Sequence, residues 1–147
     1  MLFGGFQKCL YPEQKFDSDP ERRFAVILEN DEDVLKWFKP ARGDFQIHYG
    51  HDQSYEPDFV VETSDGKFLC EPKRASEVSD DVVQSKADAA AAWCEHATIH
   101  AQTYGAKPWT YLLIPHDQIA EPMSLSGLVA RCTHASKGQG TGGSRKE

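Results

Sequence analysis

The chain has 147 residues, with 16 Lys and Arg against 23 Asp and Glu and a formal net charge of −7. That length suits one domain with a real core. No run is long or apolar enough for a membrane span and no signal segment opens the chain, so a cytoplasmic protein with no membrane partner is expected. The acidic balance weighs against a free-standing nucleic-acid binder, which gains most of its affinity by neutralising phosphates.

Residues 1–16 carry Phe3, Phe6, Leu10, Tyr11 and Phe16 without a clear period. Gly4-Gly5 argues against a regular element there, and an arm packed on the core is expected. Ser18-Asp19-Pro20-Glu21 is a capping box that opens a helix, with Ser18 at the N-cap, Glu21 at N3 and Pro20 in the first turn. Phe24, Ala25, Ile27 and Leu28 form its inward stripe, and Glu21 leans toward the same side. Glu29 lies at the helix end, and the acidic turn 30–33 follows. Residues 34–39 and 45–49 read as two strands, expected to pair as an antiparallel hairpin. His48 and His51 form an H-x-x-H, but zinc would need two more soft ligands and none is evident.

Residues 57–63 and 67–73 are strand-like runs flanking Asp65-Gly66, a strong hairpin signal because a type I′ turn needs positive φ at both central residues. A two-residue Asp65-Gly66 loop sets Ser64 opposite Lys67, Asp58 opposite Lys73 and Val60 opposite Glu71. Asp58, Glu71 and Lys73 then share one face, with Asp58 and Glu71 as diagonal neighbours roughly 7–8 Å apart. Phe59, Val61, Phe68 and Cys70 take the other, core-facing side. Two bare carboxylates about 4 Å apart repel by on the order of 4 kcal/mol at an effective dielectric near 20. A divalent cation removes that cost, and all-oxygen ligation suits Mg²⁺. Lys73 can orient a water or stabilise charge on a phosphate. The competing reading is a solvated hairpin face with an ordinary Asp–Lys cross-strand pair. Pro72 cannot donate to a ladder, so its strand should lie at an edge or break there. Arg74 could meet a phosphate or sit in solvent.

Ser79 caps the longest helix, which runs to about Tyr104 and stops at Gly105. Val83, Ala87, Ala90, Cys94, Ala97 and Ala101 make a narrow small-residue stripe. His96 and His100, four residues apart, could bind a metal only with further partners. Residues 108–114 are almost continuously apolar, as in a strand buried on both faces. After a helix, this strand should run parallel to residues 67–73. Cys9, Cys70, Cys94 and Cys132 show no C-x-x-C pairing, and Cys70 and Cys94 are expected to be reduced packing residues. Residues 123–134 are weakly patterned. The tail from about residue 135, with K-G-Q-G-T-G-G-S-R-K-E, is expected to be disordered.

Pro57-Asp58 followed by Glu71-Pro72-Lys73 across a hairpin resembles the PD-(D/E)xK nuclease signature. F-G-G-F at 3–6, F-D-S-D-P-E-R-R-F-A at 16–25, V-L-K-W-F-K-P at 34–40, Y-E-P-D-F-V-V-E at 55–62, K-A-D-A-A-A-A-W-C at 86–94 and W-T-Y-L-L-I-P-H at 109–116 extend it. Together they resemble the C-terminal endonuclease domain of type III restriction enzymes, where it follows a helicase motor. The resemblance implies a restriction-endonuclease-like α/β core, with a mixed four- to five-stranded sheet flanked by helices in the order α-β-β-β-β-α-β. The domain would span 17–122, after the arm 1–16 and before an extension 123–147. It implies that Glu21 joins the metal site, that the Pro72 carbonyl is a supporting ligand, and that Gln84 or Lys86 touches DNA near the scissile phosphate.

The expected activity is Mg²⁺-dependent hydrolysis of DNA phosphodiester bonds, with Mn²⁺ able to substitute. Asp58 and Glu71 would hold the ion, Glu21 would join directly or through water, and Lys73 would position the attacking water. The expected partners are DNA, a helicase motor domain or subunit, and a modification subunit. No G-x-x-x-x-G-K-[ST] occurs, so ATP use must reside elsewhere. A catalytically silent nuclease fold that docks DNA or a helicase, and an RNA nuclease, are the alternatives.

Overall fold

In chain order the elements are β1 (Leu2–Gly4), β2 (Glu13–Lys15), α1 (Asp19–Asn30), β3 (Val34–Phe38), β4 (Ile47–Gly50), β5 (Gln53–Tyr55), β6 (Phe59–Thr63), β7 (Lys67–Lys73), α2 (Asp81–Gln102), β8 (Trp109–Pro115) and α3 (Leu125–Cys132). They come from a computed structural model that describes residues 2–50, 52–120 and 122–135. His51 and the tail from residue 136, expected to be disordered, lie outside the described residues.

The centre is a mixed four-stranded sheet in the order β3-β6-β7-β8. The first three strands are antiparallel neighbours, and β8 runs parallel to β7 with Lys67 facing Trp109 and Lys73 facing Pro115. The expected parallel return strand is therefore present. The protein is an α/β fold with helices on both faces of this sheet. α1 and α3 cover one face, over a core of Phe16, Phe24, Leu28, Trp37, Phe59 and Leu112. α2 and β4 cover the other, over Ile47, Val60, Leu69, Ala90, Cys94 and Tyr111.

The face opposite Phe59, Val61, Phe68 and Cys70 is therefore a core side as well, as a sheet flanked by helices requires. The small-residue stripe of α2 makes close approach possible: Ala87 and Ala90 are fully buried beside Leu69 and Tyr111. Small side chains let a helix axis come close to a sheet, so the Asp58–Glu71–Lys73 face lies under a helix rather than in solvent.

α1 begins as expected: the Ser18 hydroxyl accepts from the Glu21 N–H, and Phe24, Ala25, Ile27 and Leu28 are buried. α2 begins later than expected. Asp80 rather than Ser79 is its N-cap, without a side-chain bond, and α2 ends before Gly105, whose φ of 69° is left-handed. The segment 1–16 contains two short strands instead of none: β1 and β2 pair as an antiparallel ribbon.

Two strand pairings also differ from expectation. β3 pairs with β6, and β4 with β5, so residues 34–39 and 45–49 form no common hairpin. The side chains decide this. Trp37 is buried in the α1 layer, where its indole N–H donates to Glu29 Oε2 at 2.8 Å, while Ile47 is buried in the α2 layer. A hairpin would hold these two side chains in adjacent strands, yet their burial partners lie on opposite faces of the sheet.

Glu29 ties three segments together. Besides Trp37, it accepts from the N–H of Gln7 at 2.7 Å and of Lys8 at 3.0 Å. Its role is to hold the N-terminal arm and β3 against α1. Glu29→Ala leaves these donors without their acceptor, and about 3 kcal/mol of stability is expected to be lost. A urea midpoint within error of wild type would refute the clamp.

All four cysteines are free, with Cys70, Cys94 and Cys132 buried. Burial raises their thiol pKa values, that of Cys94 to about 12, so they pack as neutral thiols. α3, whose sequence has a weak pattern, buries Leu125, Leu128 and Cys132 in the α1-side core. Among the described residues no helix is long and apolar enough to cross a membrane.

Candidate functional site

The β6–β7 turn is not the expected Asp65-Gly66 type. Glu62 faces Lys67 and the Thr63 N–H donates to the Gly66 carbonyl at 2.8 Å, leaving Ser64-Asp65 at the tip. The Thr63 hydroxyl accepts from the N–H of Asp65 (3.2 Å) and of Gly66 (3.1 Å). This side-chain cap lets the chain reverse one residue early, with no positive φ at Asp65 or Gly66. The register moves by two residues, and a shift of two keeps every side chain on its expected face. It changes who faces whom: Leu69 opposes Val60, and Cys70 opposes Phe59. Asp58 lies one residue before the paired strand, and its charge acts on Glu71, so the two carboxyls are neighbours without being a ladder pair.

This site lies toward the carboxyl end of β7, which runs parallel to β8; Glu21 in the first turn of α1 is linked to it through Lys39, and Lys86 in α2 through Tyr55. Glu71 is 7% exposed, which overturns the reading of a solvated hairpin face. The Tyr111 hydroxyl donates to Glu71 Oε1 at 2.8 Å. Tyr55 borders the same carboxyl and donates to the Lys86 carbonyl at 3.0 Å. Burial, and then the charge of Glu71, raise the pKa of both tyrosines, so both remain donors.

Burial raises the pKa of Glu71 to about 7, with repulsion from Asp58 adding to it. The Tyr111 and Tyr55 hydroxyls and Lys73 pull it down, by less than burial raises it. Asp58 is raised to about 6, again by burial first, with Lys39 and Lys73 lowering it and Glu21 and Asp17 raising it. The pair holds a proton near neutrality because burial disfavours its charged forms by more than the nearby lysines and hydroxyls favour them.

Lys73 is half-buried beside this pair and makes no ion pair among the described residues. Pro72 sits in a central strand, not at an edge, because the β6 ladder stops at Phe59. The Lys67 N–H reaches toward the β8 side, to Pro108, so alternation turns position 72 toward the side β6 has vacated. Its missing donor thus breaks no bond, and its carbonyl faces the open end of the Asp58 strand.

Glu21 is buried at the first turn of α1. Its Oε1 accepts from the Lys39 ammonium at 2.9 Å and from the Asp17 N–H at 3.3 Å. Lys39 also donates to the Asp58 carbonyl at 3.2 Å. Glu21 therefore reaches Asp58 through a lysine. Gln84 is occupied locally, its amide donating to the Val78 carbonyl at 2.7 Å. The Lys86 ammonium lies 5.4 Å from the Tyr49 ring centroid and 5.6 Å from that of Tyr55, on the α2 side of the site. Arg74 is exposed, 3.8 Å from Glu77. His48, His96 and His100 are exposed.

Three residues gained no role from sequence reasoning: Tyr111, Tyr55 and Lys39. Tyr111 carried a usable signal, a phenolic hydroxyl inside an almost wholly apolar strand buried on both faces, which requires a partner. Lys39 carried none, since a lysine before Pro40 at a strand end is ordinary. Tyr111→Phe removes a donor to a buried carboxylate. A loss of about 1–3 kcal/mol is expected, larger at pH 8 than at pH 5 because the bond favours the charged form of Glu71. Equal losses at both pH values in thermal melts would deny the bond that preference.

Asp58, Glu71 and the Pro72 carbonyl are hard oxygen donors, suited to Mg²⁺, which takes one or two carboxylates and keeps several waters. The elevated pKa values of the acid pair fit a place that accepts a cation. Among the described residues no three of His, Cys, Asp and Glu come together as a ligand group, so two carboxylates are the side-chain set. No protein-family model matches the chain, and no curated protein matches it significantly.

Proposed function

We infer that this chain is a divalent-metal-dependent phosphodiesterase with a restriction-endonuclease-like core, cutting DNA as the nuclease module of a type III-like restriction system. The observation that carries this reading is the buried Glu71 carboxyl with the half-buried Asp58, one residue before β6, close enough to repel it, and with Lys73 beside them making no ion pair among the described residues. A structural ion pair would have brought Lys73 onto a carboxylate.

Mg²⁺, when bound, stabilises charge on a phosphate and activates water. Asp58 and Glu71 would hold the ion and the Pro72 carbonyl would support it, while Glu21, expected as a further ligand, is engaged by Lys39. Tyr111 fixes the orientation of Glu71, and both tyrosines offset part of the burial that disfavours its charged form. Lys73 positions the water and offsets charge at the phosphate during attack. Lys86, beside the Tyr49 and Tyr55 rings, and the exposed Arg74 are the cations available to contact the phosphate backbone. The net charge of −7 leaves most of the grip on DNA to a helicase motor and a modification subunit.

Supercoiled plasmid and a labelled RNA of matched length, each incubated with Mg²⁺, with Mn²⁺ or with EDTA, test the reading. Metal-dependent nicking of the plasmid is the expected result. Cleavage of RNA alone would reassign the substrate. Retained plasmid binding without cleavage, both alone and with a helicase partner, would make the chain a docking module.

A further inference from the structure

Lys39 is the least expected member of the site. It stands one residue past β3, and continuing the β3–β6 register places it opposite Phe59. Its side chain is only 12% exposed. The ammonium has four neighbours: Glu21 Oε1 at 2.9 Å, the Asp58 carbonyl at 3.2 Å, the Phe59 ring centroid at 4.4 Å, and the Asp58 carboxyl, whose charge it favours. Phe59 is itself fixed between Phe24, Trp37 and Phe16, with ring centroids at 4.9, 5.8 and 6.4 Å. Pro40 limits the backbone immediately beyond. A lysine held by a carboxylate, a carbonyl and an aromatic face is not a side chain that swings aside at little cost.

With one divalent ion on Asp58 and Glu71 and both acids ionised, the three carboxylates of Asp58, Glu71 and Glu21 face two positive charges on Lys39 and Lys73 and two on the ion, so these five side chains and the ion are left one charge positive. A second divalent ion on Glu21 would sit on the same carboxylate whose Oε1 already accepts from the Lys39 ammonium at 2.9 Å, and the two cations would repel across that one group.

We propose that Lys39 is the resident cation of this site, standing where a second divalent ion would otherwise bind, so that the site takes a single ion on Asp58 and Glu71 and Glu21 holds the lysine. This rests on the metal-dependent reading above. Lys39 is a positioning residue: it fixes Asp58 by its carbonyl and lowers the charge the metal must offset.

Mn²⁺ titrations of the full chain, by calorimetry and by the loss of the free-Mn²⁺ spin-resonance signal, test this independently of activity. Wild type should bind one ion. Lys39→Met should bind two, or bind a second ion markedly more tightly, and Lys39→Arg should remain at one because the charge is retained. Glu21→Gln should keep the single ion with an affinity change well under the roughly 10-fold loss expected of a lost ligand-shell group. Circular dichroism of each variant establishes folding, and Lys39→Arg and Glu21→Gln keep the test open should Lys39→Met not fold. Two ions in wild type, an unchanged single ion in a folded Lys39→Met, or a 10-fold or greater loss in Glu21→Gln would overturn the proposal while leaving the metal site standing. No Mn²⁺ bound by wild type would overturn the metal site itself.

Discussion

Glu71→Gln is expected to reduce Mg²⁺-dependent nicking of supercoiled plasmid by at least ~10²-fold, the scale of removing one charged or hydrogen-bonding group from a preorganised site. The substitution keeps the volume and the Tyr111 bond to an oxygen (2.8 Å in the parent), so the fold has reason to survive. Asp58→Asn and Lys73→Ala should fall comparably. Gln84→Ala should stay within a few-fold of wild type, because its amide is committed to the Val78 carbonyl. The Mn²⁺-induced rise in Tm gives a second readout that needs no partner: wild type should gain stability on binding and Glu71→Gln should not. Undiminished nicking by Glu71→Gln would leave the chemistry without its central ligand.

The metal-free protein should become less stable as pH rises from about 4 to about 7, contrary to the usual behaviour of carboxylates. Unfolded Asp and Glu lose their protons near pH 4. In the folded chain Asp58 holds its proton to about pH 6 and Glu71 to about pH 7. Between those limits the folded state binds more protons than the unfolded state, so stability falls with rising pH. A shift of about two units corresponds to on the order of 3 kcal/mol, shared by a coupled pair. In EDTA, wild type should therefore lose more Tm between pH 5 and pH 8 than Asp58→Asn does, and Mn²⁺ should restore the loss at pH 8. Parallel pH profiles for the two proteins would mean that the acids do not face each other in a dry site.

Much of this arrangement was legible before any coordinates. The capping box, the inward stripe of α1, the hairpin, the small-residue helix and the apolar return strand each follow from local chemistry: a hydroxyl that caps, a period of 3.6 or 2, a run too apolar for an exposed face. Glu71 keeps the face of Val60 and Leu69 that the expected register assigned to it, because the Thr63-capped turn moves the pairing by an even number of residues, while Asp58 lies one residue before the paired strand. What failed was pairing between segments. Adjacency in the chain suggested β3 with β4, whereas the Trp37–Glu29 bond and the burial of Ile47 under α2 send those strands to different sheets.

Residue identity and spacing were sufficient for which side chains carry acid and base, and for the helices and strands that bear them, since those depend on neighbours within a few positions. Whether the acidic face is wet or dry depended on α2 folding back over it, and whether Glu21 meets Asp58 directly or through Lys39 depended on how α1 and the end of β3 pack. Both are contacts between segments distant in sequence. They are set by the balance of burial and charge across the whole core, which no local pattern encodes.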